Sequence, residues 1–185
     1  AIKNPFSTII TSRGCPYNCI FCTVPILYGK TFRRRSVQNV LEELILLKKQ
    51  GFKELFFRDE NLTLNKEYIL SLCKEMVQRN LKFSWICNSR VDTVDREILS
   101  WMKRSGCHLI KFGVESGDQK ILDNLGKGTT IEQIKETFNL CKKFKIDTIA
   151  HAMIGNQGDT KETILRTVDF VIRLDPLYAS FDKVL

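Results

Sequence analysis

Six times along this chain a short apolar, β-branched run gives way to a stretch with helical periodicity, and neither half is all strand or all helix. Phe6-Ser7-Thr8-Ile9-Ile10-Thr11 predicts a first buried strand. Leu55-Phe56-Phe57, Phe83 to Cys87, Leu109 to Val114, Thr148 to Ile154 and Leu177 to Phe181 predict five more. Between them, Ser36 is set to cap a helix in which Val37, Val40, Leu41, Leu44, Ile45 and Leu47 recur on one side, with Gly51 as its stop. Asn65 and Thr93 open the next two helices. Gln119 to Leu125 reads as a short helical piece. Thr130 with Gln133, and Asp159 with Glu162, have capping-box spacing, and Asp175-Pro176 ends the last helix. Strands that alternate with helices in this way are parallel and joined by crossovers. The pattern allows an open doubly wound sheet or a barrel. No Gly-x-Gly-x-x-Gly follows the first strand, which counts against a dinucleotide-binding sheet.

The residues with chemistry share one address. Cys15-Pro16-Tyr17-Asn18-Cys19-Ile20-Phe21-Cys22, the pair Asp59-Glu60, Asn88 with Arg90, Glu115-Ser116 and Gly155 each lie just past the C-terminal end of a predicted strand. In barrels that edge carries the active site. The cysteine loop is the sharpest of these. Thiolates are soft ligands suited to iron–sulfur clusters, zinc or copper(I). A structural zinc site closes with four protein ligands, and an ordinary iron–sulfur cluster takes four cysteines. Here the run stops at three, followed by Thr23, Val24 and Pro25. A four-iron cluster on this loop keeps one iron open. Zinc completed by a distant ligand and free structural thiols are the alternatives. Seven cysteines in a chain this long do not read as a disulfide framework.

The spacing C-x3-C-x2-C, with Ser12-Arg13-Gly14 before it, resembles the signature of the radical S-adenosylmethionine (SAM) superfamily. That resemblance spans almost the whole chain and implies a (β/α)6 partial TIM barrel with parallel strands, truncated here after the sixth strand. It implies that Cys15, Cys19 and Cys22 are the metal ligands and catalytic residues, binding a [4Fe–4S] cluster whose open iron is chelated by the amino and carboxylate groups of SAM. Reductive cleavage of SAM then yields a 5′-deoxyadenosyl radical. By position, Phe21 lies near the adenine, Asp59 and Glu60 meet the SAM amino group, and Glu115 and Ser116 approach the ribose hydroxyls. Asn88 and Arg90 end the third strand, where Arg90 holds a carboxylate of SAM or substrate or else ties the barrel. Met153-Ile154-Gly155 flanks the adenine. The following Asn156-Gln157-Gly158-Asp159-Thr160 departs from the common Gly-x-Pro-Gly-Glu-Thr, with Gln157 in place of proline.

Ser12-Arg13-Gly14-Cys15-Pro16 and Gly113-Val114-Glu115-Ser116-Gly117 look most like cobalamin-associated members, many of them methyltransferases or ring-forming enzymes. Methylthiotransferases acting on RNA or protein are the next resemblance. No Asp-x-His-x-x-Gly cobalamin motif is present. The expectation is therefore a core domain over 1–185, with 1–5 as linker, belonging to a longer protein whose N-terminal and C-terminal domains lie outside it. Any cobalamin binds through such a domain. The family also implies an electron donor of flavodoxin or ferredoxin type and a substrate the sequence does not name. A non-catalytic iron–sulfur or zinc module is the competing class.

Composition sets wider bounds. A chain of 185 residues can bury one real core. No apolar run is long enough for a bilayer, and Ala1 to Pro5 has no signal-peptide pattern. Free thiols fit a reducing compartment, so the expected location is cytoplasmic. A net charge of +8 favours anionic partners. Tyr28 to Arg35 is basic with interleaved aromatics, and reads as a solvated loop or as a contact for a phosphate or carboxylate. His108 and His151 read as core or rim residues, and Cys73, Cys87, Cys107 and Cys141 as small core residues.

Overall fold

The computed structural model describes residues 4–184. Residues 1–3 of the expected linker therefore lie outside the described residues. Six strands form one parallel sheet: β1 (Phe6–Ile9), β4 (Glu54–Phe57), β5 (Ser84–Ser89), β6 (Cys107–Glu115), β7 (Asp147–Ile154) and β8 (Tyr178–Lys183). Their spatial order is their chain order. Each crossover thus advances one place in the same direction, which is barrel winding rather than the reversal of a doubly wound sheet. β1 and β8 do not pair with each other, so the sheet is a partial barrel, as expected. Two more strands, β2 (Ser12–Arg13) and β3 (Arg33–Arg34), pair only with each other in a small antiparallel ribbon.

The crossovers are α2 (Val37–Lys49), α3 (Lys66–Gln78), α4 (Arg96–Arg104), α6 (Ile131–Lys143) and α7 (Lys161–Leu174), with short α1 (Val24–Tyr28) and α5 (Gln119–Asn124) in the loops. The caps at Ser36, Asn65 and Thr130 form as predicted. Two others shift. Thr93 closes a 3₁₀ turn, Val91–Thr93, and Asp95 caps α4 by accepting from the Ile98 N–H. Thr160, not Asp159, caps α7 with Thr163 as its box partner. Asp159 instead accepts from the Asn156 and Thr163 side of the same turn.

Burial alternates along the strands, and this separates two faces. Leu55, Phe57, Trp85, Cys87, Ile110, Phe112, Val114, Ala150 and Ala152 are buried under the helices. They pack on Val40, Leu44, Leu72, Met76, Leu99, Ile134 and Phe138 in one continuous core. Phe57 meets Trp85 edge-on at 5.1 Å, and Phe112 meets Phe138 at 5.5 Å. The other face carries Phe56, Asn88, Lys111, Gly113 and His151, all half-buried. A barrel interior lined by such groups is a floor for a site rather than a second core. All four of Cys73, Cys87, Cys107 and Cys141 are buried in the helix–sheet layer, as small core residues. Burial pushes the Cys73 and Cys141 thiols up to about 12. His108 sits half-buried against Glu54, its Nε2 2.9 Å from Oε1.

Candidate active site

The chain leaves β1 at Ile9 and turns into the cysteine loop. Gly14 has φ +88°, and a Cβ there would lie 2.2 Å from the Thr31 carbonyl oxygen, so the tight entry to Cys15 requires glycine. The β2–β3 ribbon closes the loop's base, helped by the Arg35 N–H donating to Thr11 O at 2.8 Å. The far side is tied by the Ile20 N–H to Leu125 O, 3.1 Å. Cys15, Cys19 and Cys22 are free and half-buried. Burial pushes the Cys15 thiol up, against the opposing pull of the Tyr17 N–H and of Arg90.

Two of the predicted cofactor contacts turn out to build this loop instead. Asp59 is fully buried. Its carboxylate accepts from the Thr11 N–H at 3.1 and 3.2 Å, from Thr11 Oγ1 at 2.7 Å and from Ser12 Oγ at 2.5 Å. Asp59 does not line the cavity beside the thiols, so the expected contact with a ligand amino group is corrected to a tie between the end of β4 and the entry to the thiols. Charge-assisted bonds to buried donors are strong, and their loss leaves those donors unsatisfied. Asp59→Ala is therefore expected to lower unfolding stability by about 2–3 kcal/mol, read from urea denaturation. Arg90 is likewise spent. It holds Asp92 through two bonds of 2.8 and 2.9 Å, donates to Lys127 O at 2.6 Å, and lies 3.6 Å from the Tyr17 ring centroid. Its remaining nitrogen, Nη1, points at Cys19 Sγ, 3.6 Å away. The guanidinium is thus engaged within the protein, between Asp92, the Lys127 carbonyl and the Cys19 sulfur.

A cavity of about 250 Å³ opens beside the thiols. Cys15, Cys19, Phe21 and Cys22 form one wall, and Glu60, Asn88, Arg90 and Glu115 enter from the strand ends as predicted. Asn88 Nδ2 donates to Asp59 O at 3.0 Å. Glu60 stands on the rim, where partial burial and the neighbouring Asp59 push its carboxyl up. Ser116 does not reach the cavity. It is fully buried and bonded to Thr167 Oγ1 and the Asp118 N–H, so its role is to fix the turn after β6. Met153 and Ile154 end β7 and Gly155 follows it, all three outside the lining, and His151 is the residue of that strand that enters it.

Asn61, Lys111, Lys127 and His151 line the cavity as well. Asn61 is 3 % exposed. Its Oδ1 accepts from the Arg90 N–H at 3.3 Å and from Thr63 and Thr93 hydroxyls at 3.2 and 3.1 Å. The backbone donor fixes the amide's orientation, and Nδ2 is left with no partner. Lys127, 5 % exposed, donates to Glu115 Oε1 at 2.7 Å and lies 5.9 Å from the Phe21 ring centroid. Glu115 sits on a bulge of β6 with φ +63°. A Cβ on Gly113 would meet Glu115 Oε1 at 2.2 Å and Lys127 Nζ at 2.8 Å, so the ion pair occupies the space that glycine leaves. The capping signals and strand pattern could not reveal Lys127, which stands in a Gly-Lys-Gly loop.

The basic run is structural: Arg35 pairs with Glu43 at 2.6 Å, Arg34 lies over Tyr68 at 5.2 Å, and Arg33 donates to Tyr28 O. Among the described residues no three histidine, cysteine or acidic side chains converge on a single ion. A four-iron cluster does not ask for that, since each thiolate binds a different iron. Three accessible thiols on one loop, with an arginine at one sulfur and an unpartnered amide in the same cavity, are a donor set such a cluster and its ligand fit.

Residues 9–171 match the family model described as "Radical SAM superfamily". An uncharacterized methyltransferase of Pyrococcus horikoshii is 39% identical over 178 residues, covering 96% of this chain and 39% of that protein. The chain thus spans about two fifths of this relative's length. Among solved structures, the radical SAM methyltransferase TsrM of Kitasatospora setae, with tryptophan and a SAM analogue bound, superposes with a TM-score of 0.89 at 24% identity, over 96% of this chain and 35% of that one. The cobalamin-dependent SAM radical enzyme OxsB, with aqua-cobalamin and SAM bound, gives a TM-score of 0.77 at 26% identity, over 95% and 27%.

Proposed function

The chain belongs to the radical SAM superfamily, and from that premise we propose that it is the cofactor-binding domain of a cobalamin-dependent methyltransferase or a close relative. The observation that carries the reading is the set of three half-buried, unpaired thiols facing one cavity with the unpartnered Asn61 amide. Superfamily members use a [4Fe–4S] cluster and SAM. Here Cys15, Cys19 and Cys22 would hold the cluster. The chemistry the bound cofactors supply is one-electron reductive cleavage of the sulfonium S–C5′ bond.

The chain's own residues prepare that chemistry. Arg90 aims Nη1 at Cys19 Sγ and fixes that side of the cysteine loop. Glu60, the rim acid with no ion pair among the described residues, is the group for an ammonium. Asn61 Nδ2 is a donor and suits a carboxylate oxygen, not an amine. Glu115 keeps Oε2 for a hydroxyl donor while Lys127 takes Oε1. Phe21 supplies an apolar wall. Groups already fixed around the cavity need little rearrangement when a ligand binds.

In this reading cobalamin sits in a domain outside these residues, since they contain no Asp-x-His-x-x-Gly. The Pyrococcus relative and OxsB support methyl transfer and cobalamin use. A flavodoxin- or ferredoxin-type donor would supply the electron in the cytoplasm. Among the described residues no helix is long and apolar enough to cross a membrane. The methylthiotransferase resemblance shares the same first step and differs only in the group transferred afterwards.

The test is anaerobic reconstitution with iron and sulfide, then incubation with SAM and a strong reductant. Brown protein that slowly releases 5′-deoxyadenosine is the expected outcome, detected by chromatography. Colourless protein carrying stoichiometric zinc, or a reducible cluster that binds SAM and releases no deoxyadenosine at all, overturns it.

A further inference from the structure

The cations that line the cavity are unevenly answered. At its mouth, beside the thiols, Arg90 is paired with Asp92 and Lys127 with Glu115, while on its floor Lys111 has no ion pair among the described residues. Lys111 projects from the middle of β6, in register with Asn88 on β5 and Ile149 on β7. It lies two residues below Gly113, roughly 7 Å deeper along the strand. Its ammonium makes no hydrogen bond or ion pair with any described residue. It lies over the face of Phe56, with Nζ 5.4 Å from the ring centroid. Arg58 lies over the same ring at 5.2 Å and also lacks an ion pair among the described residues.

The acids that could serve Lys111 are engaged elsewhere or stand apart. Glu115 is taken by Lys127, Glu54 lies against His108 at the opposite end of the strands, and Asp182 is exposed on β8. His151 lines the floor from β7, its Nδ1 2.7 Å from Ser180 Oγ. Burial and the charge of Lys111 hold its imidazole below the ordinary range, so it is neutral at neutral pH and adds no competing charge. Burial and Arg58 pull Lys111 down as well. A ring face attracts a half-buried ammonium weakly and does not neutralise it. Taking a charge from water without a partner is costly, so a cation kept in a cavity in this state is suited to an anion that arrives from outside.

The geometry points to Lys111 as the anchor for an anionic oxygen group, a carboxylate or phosphate, on the end of the substrate that enters the barrel. The assignment rests on the proposed radical SAM function, in which cluster and SAM take the mouth and leave the floor to substrate. Arg58 adds positive potential at the same ring, and neutral His151 offers a second hydrogen-bonding edge. SAM's own carboxylate is the competing anion, and Asn61 at the mouth is the donor assigned to it.

Accessibility of Lys111 to a neutral reagent tests this directly. The full chain is reductively methylated with formaldehyde and a borane, with and without inorganic phosphate or acetate, and each lysine is read by peptide mass spectrometry. Lys111 is expected to be protected about tenfold or more once the anion concentration exceeds its Kd about tenfold. Exposed Lys120 and Lys161 should be unaffected. Protection by phosphate alone assigns a phosphate, and by acetate alone a carboxylate. No protection at Lys111 by either anion, or equal protection of all lysines, overturns the proposal.

A second arm compares Lys111→Met with the parent by calorimetry. Phosphate or acetate binding should disappear while the affinity of cluster-loaded protein for SAM holds. A parallel loss of SAM affinity would assign Lys111 to the cofactor and remove it from the substrate. The methylation experiment uses neither iron nor SAM, so a chain that bound no cluster would defeat the radical SAM reading while leaving the anion result legible.

Discussion

Alanine at Cys15, Cys19 or Cys22 is expected to strip essentially all iron from anaerobically reconstituted protein, while alanine at Cys73 or Cys107 leaves it in place. The two sets of thiols differ physically. The first three are half-buried on one loop, facing a cavity, with the Arg90 guanidinium 3.6 Å from one sulfur. Metal ligation needs the thiolate, and thiols half-exposed to a cavity can reach a metal while sealed ones cannot. The second set is sealed in the helix–sheet layer, where burial pushes Cys73 up to about 12 and Cys107 also well up. Such thiols stay protonated and pack as small apolar groups. Three anchors are also the minimum for a cluster that keeps one iron open, so no spare ligand stands in for a lost one. Iron and sulfide analysis, with circular dichroism to verify folding, reads the result. Iron loss from Cys73→Ala as complete as from Cys19→Ala would refute the ligand assignment.

The fold was open to inspection in the sequence because two periods compete along it without overlap. Val40, Leu41 and Leu44 repeat as a helix, and Leu55-Phe56-Phe57 as a strand, so the order of elements follows. The cysteine spacing likewise marks its own site, since no packing rule places three thiols in one short polar loop. What the sequence withholds is the direction of a side chain at a strand end. Asp59 and Glu60 are neighbours with the same chemistry, yet one turns inward to Thr11 and Ser12 and the other to the rim. Arg90 carries its partner, Asp92, two residues on, which a local reading could have weighed more heavily. Ser116 belongs to the turn for the same reason that Glu115 belongs to the cavity. The bulge at Glu115 shifts the register there, and alternation alone does not forecast a bulge. Lys127 and Asn61 reach the site from loops, where no period exists to place them. The β2–β3 ribbon is two residues long on each side and below any pattern threshold.

The second large effect concerns the pair that this bulge creates. Lys127 and Glu115 are 5 % and 7 % exposed, with Nζ and Oε1 2.7 Å apart. A buried pair of this kind adds modest net stability over an apolar substitute, because both charges have left water. Removing one member is different, since the other remains buried and uncompensated. Lys127→Met is therefore expected to lower unfolding stability by about 3–5 kcal/mol, and Glu115→Gln by a comparable amount. The double variant should recover most of that loss, so that the two single changes are strongly non-additive. Urea denaturation of all four proteins, without cofactor, measures this cycle. Additive losses would mean that the two side chains act independently and that the contact contributes packing alone. A second readout separates stability from function. Glu115 lines the cavity and Lys127 takes only its Oε1, so the stable double variant should still bind SAM more weakly than the parent, by about 1–3 kcal/mol for the lost charged acceptor. Its iron content should match the parent, because the cysteine loop is held by Asp59 and Arg90 and not by this pair. A double variant that regained both stability and full SAM affinity would leave Glu115 as a structural partner of Lys127 with no part in holding the ribose.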